Sequence, residues 1–342
     1  MSDTRKSRLV AEVDFEKEGK QQGLVRLFHS THASAYGFIG LPIVTMRNGS
    51  GPTGLLLGGN HGDEYEGQLL MANLARTLKP SQITGRLIIM PCLNLPASLA
   101  GRRTSPIDDA NLNRSFPGNP DGTVTQQIAY FVQTALFPLC DFVVDLHSGG
   151  SSLMYVPSAV GRMFKDAKKQ AMMTGMLEAF GAPISFCAAG SEGTGADQTL
   201  TGGAERVGLA VLGSELGGSG TVTREAMRWA EPGLRNVLVD RGVLPAKERV
   251  RNAHKTRIMY TGGDDYFVYA SETGVWEPLV ELGEMVKKGQ PAARIHWPES
   301  PWTEPVTVNF KRDGLAICRR QPGRTTRGDC LWHLCSDENP FR

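Results

Sequence analysis

A histidine and a glutamate three residues apart form the feature of this sequence with the clearest chemical potential. His61 and Glu64 lie in the glycine-rich stretch 58–67, which follows the apolar run 53–58 and opens a helical pattern. A single turn of chain can aim both side chains at one point, and imidazole together with carboxylate suits Zn²⁺. The alternative is a polar strand-to-helix turn in which Glu64 caps the helix, and an H-x-x-E string alone does not decide between the two.

A second histidine lies where a predicted strand ends. His147 follows the apolar run 141–146, and open α/β sheets bind their ligands at the carboxyl ends of strands. With His61 and Glu64 it would make a three-ligand set with a free fourth position, which is the composition of catalytic zinc sites. Asp145 shares a strand face with His147 and could orient it. The alternatives are a histidine bonded to local backbone and an ordinary turn aspartate.

The long turn-rich stretch 97–122 carries groups that could hold an anion. Arg114 can bind a carboxylate through two parallel hydrogen bonds, and Asn113 can add a donor. Arg102 and Arg103 lie upstream in the same stretch. Long loops in compact domains are often functional, although a solvated loop is the alternative here.

A glutamate after another apolar run completes the chemistry of a hydrolase. Glu215 follows the run 209–212 and precedes Gly217 and Gly218. At a strand end beside zinc it could take a proton from a bound water and later give it to a leaving amine. Without the other motifs it would be an ordinary turn glutamate.

The elements that must position these residues alternate along the chain. Strands that alternate with helices predict an α/β domain with a largely parallel sheet. Residues 1–50 indicate short strands and turns, whereas the chain after 250 has short β-like runs and many turns, so we expect domains at 1–250 and 251–342. The predicted strands are 53–58, 86–90, 141–146 and 209–212, and the predicted helices are 65–78, 123–136, 164–180 and 223–238.

Composition narrows the class of protein. The chain has 342 residues, a net charge of +2 and no long basic run, so we expect no nucleic-acid partner. Neither a secretory signal nor a membrane-length apolar stretch is apparent, and six cysteines suggest reduced thiols, so we expect a cytoplasmic protein. Glycine accounts for 40 of the 342 residues, about 12%, whereas average usage is roughly 7%. This excess indicates many tight turns.

The order of these motifs resembles the succinylglutamate desuccinylase/aspartoacylase family, which is related to the zinc carboxypeptidases. H-x-x-E, N-R-x-F-P-G, D-L-H and a strand-end glutamate before glycine follow one another over residues 50–245. The resemblance implies a carboxypeptidase-like mixed sheet flanked by helices, with a smaller C-terminal β domain. It also implies a role for each candidate: one Zn²⁺ per chain on His61, Glu64 and His147, Glu215 as general base and acid, Asn113 and Arg114 on the substrate carboxylate, and Arg103 on the scissile carbonyl.

The chain departs from the family pattern in the long loop. Asn111 stands where the family often has aspartate, and the spacing from Arg103 to Asn113 differs from that of aspartoacylase, which leaves open whether Arg102 or Arg103 faces the site. The long forms of the motifs are most similar to the branch of the family that deacetylates N-acetyl-2,4-diaminobutyrate in ectoine breakdown. An acidic patch for its cationic side chain could include Asp108, Asp109 or Asp197.

We therefore expect a zinc amidohydrolase that removes a short acyl group, with acetyl preferred, from a small N-acyl amino acid. The alternatives are a zinc carboxypeptidase, a desuccinylase or aspartoacylase with another substrate, and a non-catalytic carrier module. The stretch 272–290 is similar to half of a lipoyl/biotinyl hammerhead, but the sequence between Arg257 and Val286 lacks the lysine that a carrier needs. We expect the C-terminal β domain to shape or cover the site, or to assist oligomerisation. Oligomeric state is left open, with a homo-oligomer among the options.

Overall fold

The computed structural model describes residues 5–189, 196–251 and 255–341, and a mixed sheet of ten strands forms its centre. The strands run in the order β1-β2-β3-β5-β4-β6-β10-β8-β9-β11 across that sheet. They are β1 Val10–Ala11, β2 Gly19–Phe28, β3 Phe38–Asn48, β4 Thr53–Gly58, β5 Gly85–Met90, β6 Phe142–His147, β8 Ser158–Arg162, β9 Ile184–Ala188, β10 Val211–Glu215 and β11 Arg257–Tyr260, while β7 Leu153–Tyr155 pairs elsewhere.

Strands β5, β4, β6 and β10 are mutually parallel and form the middle of the sheet. All six residues of β4 are buried, and successive residues enter different apolar clusters on the two faces of the sheet. Leu56 packs with one set of helices, whereas Leu55 and Leu57 pack with the other. Burial on both faces explains the unbroken apolar runs of the sequence.

The parallel middle brings three carboxyl ends to one edge of the sheet. Leu146 of β6 pairs with Gly58, the last residue of β4, and His147 pairs with Glu215, the last residue of β10. The residues that follow β4 and those that end β6 and β10 therefore meet at this edge.

Within the described ranges, six α-helices pack against the sheet. Helix α1 begins directly after Glu64, and helices α3 to α6 each have an N-cap side chain that accepts a backbone N–H. Such caps satisfy amides that the first helical turn leaves free. The helices are α1 Tyr65–Thr77, α2 Leu95–Ala100, α3 Val124–Phe131, α4 Ala167–Phe180, α5 Leu200–Arg206 and α6 Arg224–Asp240.

Two smaller antiparallel sheets follow the large one. Strands β12, β19, β17 and β14 form the first, to which β7 adds by pairing with β17, and strands β16, β15, β13 and β18 form the second. The strands are β12 Phe267–Tyr269, β13 Gly274–Pro278, β14 Met285–Val286, β15 Pro291–His296, β16 Val306–Asn309, β17 Gly314–Arg320, β18 Arg324–Thr325 and β19 Cys330–Cys335.

These sheets agree with the predicted fold class of a mixed α/β core with C-terminal β structure. The predicted domain boundary at 250 stays a prediction, and the last strand of the large sheet, β11, lies beyond it. The hammerhead-like stretch 272–290 forms β13 and β14, which belong to different sheets. Among the described residues, no helix combines the length and the apolar character needed to cross a membrane.

The structure corrects three local expectations. The N-terminal strands β2 and β3 span 10 and 11 residues and pair with each other over ten of them. The first half of β2 is polar and β3 contains Gly40 and Pro42, so neither sequence indicates a long strand. In the helix predicted at 65–78, Leu69, Leu70, Leu74 and Leu78 fall at helical spacing, which favours burial of all four. Leu69 is instead 45% exposed, because the helix turns Leu70 and Met71 toward the sheet. The helix predicted at 123–136 changes to π geometry over Val132–Leu136.

Candidate active site

The turn between β4 and α1 holds the first two candidate ligands. His61 and Glu64 are 3% and 2% exposed, and His61 Nδ1 lies 2.7 Å from Glu64 Oε1. Gly62 lets this turn pass against α2, since a Cβ there would lie 1.9 Å from the carbonyl carbon of Ala97. Glu64 occupies the N-cap position of α1 but its side chain makes no capping hydrogen bond. The capping alternative is therefore wrong, and the carboxylate is directed at the histidines instead.

His147, the last residue of β6, completes the cluster. Its Nδ1 lies 2.8 Å from Glu64 Oε2, and its ring centroid is 5.0 Å from that of His61. One ligand atom from each of the three residues lies within 4.8 Å of the others. The glutamate thus bridges two imidazoles, each through its Nδ1 atom.

The outer nitrogens of both imidazoles are held by oxygen acceptors. His61 Nε2 lies 3.1 Å from Asn111 Oδ1, an atom that also accepts the Asn113 N–H, and His147 Nε2 lies 2.9 Å from Asp145 Oδ2. An oxygen acceptor at Nε2 favours the proton there and leaves the Nδ1 lone pair directed inward. Asn60 donates to the same Asp145 oxygen at 2.9 Å, which fixes that carboxylate in turn.

The inner atoms of this cluster fit a cation. Two Nδ1 lone pairs facing one carboxylate would repel each other without positive charge between them, and two imidazoles with one carboxylate is a zinc donor set. Although burial opposes charge at both groups, the pKa of Glu64 is held well below its usual range by the two imidazoles, and the pKa of His147 is raised by Asp145 and Glu64. Burial lowers the pKa of His61.

Glu215 ends β10 beside His147 and lines the same cavity as the cluster. Its Oε2 atom is buried without a hydrogen-bond partner in the described residues. Burial and the negative charge of Glu64 raise the pKa of Glu215 well above its usual value. A carboxyl group in such a setting can accept and return a proton more readily than an exposed one.

The two arginines of the long loop point in different directions. Arg103 Nη1 lies 3.3 Å from His61 Nδ1 and 3.5 Å from Glu64 Oε1, at the open side of the cluster. Arg102 instead pairs with Asp109 at 3.1 Å on the exposed surface. Of the two, Arg103 is the one that faces the site.

Asn113 and Arg114 lie in a single 3₁₀ turn, Leu112–Arg114. Asn113 Oδ1 accepts the Leu200 N–H at 2.9 Å, which ties this turn to the start of α5 and leaves the amide NH₂ as the donor for a ligand. Arg114 is exposed to the cavity, and its pKa is lowered by burial of its stem and by the charges of Arg103 and Arg162.

One cavity of about 790 Å³ joins these groups. Its lining includes every residue that the sequence predicted for the site: His61, Glu64, Arg103, Asn113, Arg114, His147 and Glu215. The three acids suggested for a cationic side chain, Asp108, Asp109 and Asp197, do not line it. The Asp108 carboxylate instead accepts two hydrogen bonds from Thr125, one from its N–H and one from its hydroxyl, each 2.8 Å long.

The C-terminal sheet supplies a cavity wall, as one of the expected roles of the β domain requires, but the sequence did not indicate which residues form it. His333 of β19 lies 2.6 Å from Thr261 Oγ1 and stacks on Phe267 of β12 with centroids 4.4 Å apart. Burial lowers the pKa of His333 to about 4, so its imidazole is neutral near pH 7. These residues, together with Tyr155 and Phe186, line the cavity. No local motif marks them, because tertiary packing alone brings them together.

Comparisons with known proteins agree with this geometry. Residues 50–240 match the succinylglutamate desuccinylase/aspartoacylase catalytic domain. The chain is 39% identical over 327 residues to the N-alpha-acetyl-L-2,4-diaminobutyric acid deacetylase of Halomonas elongata. The aligned region covers 96% of this chain and 94% of that protein.

Solved structures give the same relationship. A succinylglutamate desuccinylase/aspartoacylase from Rhodobacter sphaeroides is 39% identical with a TM-score of 0.91, over 97% of this chain and 100% of that one. The product-bound ectoine utilization protein EutE (DoeB) from Ruegeria pomeroyi is 38% identical, with the same TM-score of 0.91 and the same coverage of 97% and 100%. The likeness therefore extends over nearly the whole chain.

Proposed function

The chain belongs to the succinylglutamate desuccinylase/aspartoacylase family of deacylating hydrolases, and we propose that it is a zinc-dependent deacetylase of N-acetyl-2,4-diaminobutyrate. The observation that carries this proposal is the cavity in which the His61–Glu64–His147 cluster lies beside Glu215. Such a site joins a metal-type donor set to a proton-transfer group, as hydrolysis of an amide requires.

His61, Glu64 and His147 would hold one Zn²⁺ per chain through the two Nδ1 atoms and the carboxylate. Zinc supplies Lewis-acid polarisation of the acyl carbonyl and activation of water as a nucleophile. Asn111 and Asp145 hold the imidazoles in the tautomer that presents Nδ1 inward. This support keeps the donor atoms in position before a ligand arrives.

Glu215 is the proton carrier of the proposed reaction. Its carboxylate accepts the proton of the attacking water and returns it to the amine that leaves when the C–N bond breaks. The Oε2 atom without a partner is free to make these transfers, and the raised pKa of Glu215 favours holding the proton between the two steps. The products are acetate and a free amino acid.

Substrate is oriented by the loop residues. Arg114 and the Asn113 amide bind the α-carboxylate, and Arg103 donates to the acyl carbonyl oxygen, where negative charge grows in the transition state. Arg103 is placed for this by its position 3.5 Å from Glu64. Donors aimed at developing charge typically contribute about 10²–10³ in kcat.

The choice of N-acetyl-2,4-diaminobutyrate rests on the relative from Halomonas elongata, which is a deacetylase of that compound and is 39% identical to this chain over 327 residues. The six unpaired cysteines are typical of a reducing compartment and support the cytoplasmic location that we propose.

A second candidate is a carboxypeptidase that acts on small peptides. The cavity of about 790 Å³ is of a size that holds drug-sized ligands, so a dipeptide also fits. The two candidates differ only in the group on the acyl side of the scissile bond, since both place a carboxylate near Arg114.

A substrate panel tests the proposal. Zinc-loaded protein is assayed with N-acetyl-L-2,4-diaminobutyrate, N-acetylaspartate, N-succinylglutamate and a dipeptide, with a metal-chelated sample as control. We expect the highest kcat/KM for N-acetyl-L-2,4-diaminobutyrate. A preference for the dipeptide would instead support the carboxypeptidase, and hydrolysis of none of them would refute both.

A further inference from the structure

One wall of the cavity, called the floor below, is formed by Gly213 and Glu215 of β10 and by Val160 and Arg162 of β8. Strand β8 runs antiparallel to β10, with Ser158 beside Glu215 and Val160 beside Gly213. Alternate residues of a strand share a face, so Val160 and Arg162 point to the same side, and both line the cavity. At about 3.3 Å per residue, the Arg162 backbone lies roughly 13 Å along β8 from the Ser158–Glu215 pair.

Gly213 keeps this floor open. A Cβ at Gly213 would meet Val160 Cβ at 3.5 Å, which is ordinary contact, so packing of the sheet does not demand glycine there. The missing side chain leaves space above the floor between the proton carrier Glu215 and the guanidinium of Arg162. A substrate that reacts beside Glu215 can therefore extend toward Arg162.

Arg162 brings a positive charge to this end of the cavity. It is half-buried, and Nη1 donates to the neutral carbonyl of Ala189 at 2.8 Å. Within the described part of the chain no carboxylate lies within ion-pair distance of it, although Glu205 acts on it from farther away. A half-buried guanidinium without a bonded carboxylate is a site that an anion can fill.

The acidic residues of the cavity cannot serve as its partner. Among the described lining residues these are Glu64, Asp145 and Glu215, which the proposed function commits to the metal, to His147 and to proton transfer. The basic side chains Arg103, Arg114 and Arg162 share the cavity, and the charges of Arg103 and Arg162 are both felt at Arg114. The field beyond the metal cluster is therefore positive and attracts a carboxylate.

We propose that Arg162 is a specificity-determining residue that binds the substrate α-carboxylate from strand β8 while Arg114 binds it from the 3₁₀ turn. This inference rests on the proposed function and extends it, since it names a second guanidinium for the one anionic group of the substrate. A carboxylate held by two guanidiniums fixes the amino acid at two points. Compounds without that carboxylate lose both contacts and are hydrolysed with a lower kcat/KM.

Paired substrates separate this role from a structural one. N-acetyl-L-2,4-diaminobutyrate is compared with N-acetyl-1,3-diaminopropane, which has the same amide and ammonium but no carboxylate. We expect Arg162→Met to lower kcat/KM for the first compound by roughly 10–100-fold, mainly through KM, since hydrogen bonds between charged groups are worth about 1.5–3 kcal/mol. For the second compound the variant and the wild type should be equal. Arg162→Lys should recover part of the loss.

Controls make each outcome decisive. Arg228→Met removes an exposed arginine of α6 that does not line the cavity, and it should leave both substrates unchanged. Equal losses on both substrates in Arg162→Met, or no loss on either, would overturn the role of Arg162. If the wild type hydrolyses neither compound, the proposed substrate is wrong. In that case Arg162→Met and the wild type are compared on whichever panel substrate is hydrolysed and on the analogue of that substrate without its carboxylate. Equal losses on both compounds, or no loss on either, would again overturn the role of Arg162.

Discussion

The two imidazoles of the metal cluster differ in the group that holds their outer nitrogen. His147 bonds to the carboxylate of Asp145, which is itself fixed by Asn60, whereas His61 bonds to the amide oxygen of Asn111. A carboxylate partner makes an imidazole a stronger donor than an amide does. His147 is therefore the more basic of the two proposed ligands, and its partner should matter more for metal affinity.

Replacing that partner gives the first prediction. Asp145→Asn should weaken zinc binding by about 10–100-fold, because the neutral amide no longer strengthens or orients His147. The measurement is a competition titration of zinc against a chelator of known affinity. Asp313→Asn, which removes an exposed carboxylate paired with Lys287, serves as control and should bind zinc as the wild type does. Equal zinc affinity of Asp145→Asn and wild type would show that Asp145 does not support the ligand.

The proton carrier gives the second prediction. Glu215→Gln should retain zinc but lower kcat by about 10²–10⁴-fold, because glutamine keeps the shape of the side chain and cannot take a proton. Zinc content and turnover are measured on the same preparation. Glu225→Gln, on the exposed first turn of α6, should leave both unchanged. Turnover near the wild-type rate in Glu215→Gln would rule out the assigned role.

Single site residues could be predicted where they follow the end of an apolar strand. His61, Glu64, His147 and Glu215 all follow apolar runs, and the parallel middle of the sheet brings them to one edge. Arg162 also ends a strand, but the sequence of β8, Ser-Ala-Val-Gly-Arg, is too short and too mixed to indicate one.

At the scale of elements, helix α1 is held against β6 by a glycine contact. A Cβ at Gly67 would lie 2.7 Å from the carbonyl oxygen of Leu146, the residue before the proposed ligand His147. Glu64 lies just before this helix, so the distance between α1 and β6 sets the distance between two proposed ligands. The close packing of one helix thus contributes directly to the geometry of the cluster.

The third prediction tests that packing. Gly67→Ala should destabilise the protein by about 1–3 kcal/mol and weaken zinc binding, because α1 must move away from β6 to admit the methyl group. The free energy of unfolding and the zinc affinity are measured together. Gly175→Ala in α4 is the matched control, since a Cβ there meets nothing closer than 3.5 Å, and it should be neutral or stabilising by up to about 1 kcal/mol. Identical behaviour of the two variants would contradict this packing account.

Elements were predictable where burial on both faces made their sequences continuously apolar. Strand β4 was predicted at the residues where it occurs, 53–58. Strands β2 and β3 were not, because the first half of β2 is polar, β3 contains Gly40 and Pro42, and their length depends on pairing with each other. Backbone pairing of this kind leaves little trace in residue type.

At the scale of the whole molecule, the C-terminal sheet is joined to the active site in two ways. Strand β7, which follows the His147 loop, pairs with β17, and the N–H groups of Gly149 and Tyr155 both donate to the carbonyl of Gly217. His333 and its aromatic neighbours form part of the cavity wall. The sequence indicated the β structure of this part of the chain and, as one of its expected roles, shaping or covering the site. It did not indicate which residues make the contact, because such a contact depends on how distant segments pack.

The fourth prediction concerns the stability of this wall against acid. The pKa of His333 is lowered to about 4 in the folded protein, from an ordinary value near 6.5, so between these values the unfolded chain binds a proton that the folded one does not. Stability should therefore fall as pH decreases from about 6.5 to about 4, by up to about 3 kcal/mol.

Urea unfolding at several pH values measures this effect. His333→Gln should lose that part of the pH dependence, whereas His296→Gln, which changes a half-exposed imidazole beside Glu277, should keep it. Parallel stability curves for the wild type and His333→Gln between pH 4 and 7 would show that the buried imidazole does not contribute.

The central claim is that one zinc ion on His61, Glu64 and His147 makes the protein a deacetylase. The most direct measurement is the rate of N-acetyl-L-2,4-diaminobutyrate hydrolysis as metal-free protein is titrated with Zn²⁺. We predict a rate that rises in proportion to added zinc, reaches a plateau at one ion per chain and stays at background in a variant with His61→Ala. Full activity without metal, or no activity at one equivalent of zinc, would contradict the claim.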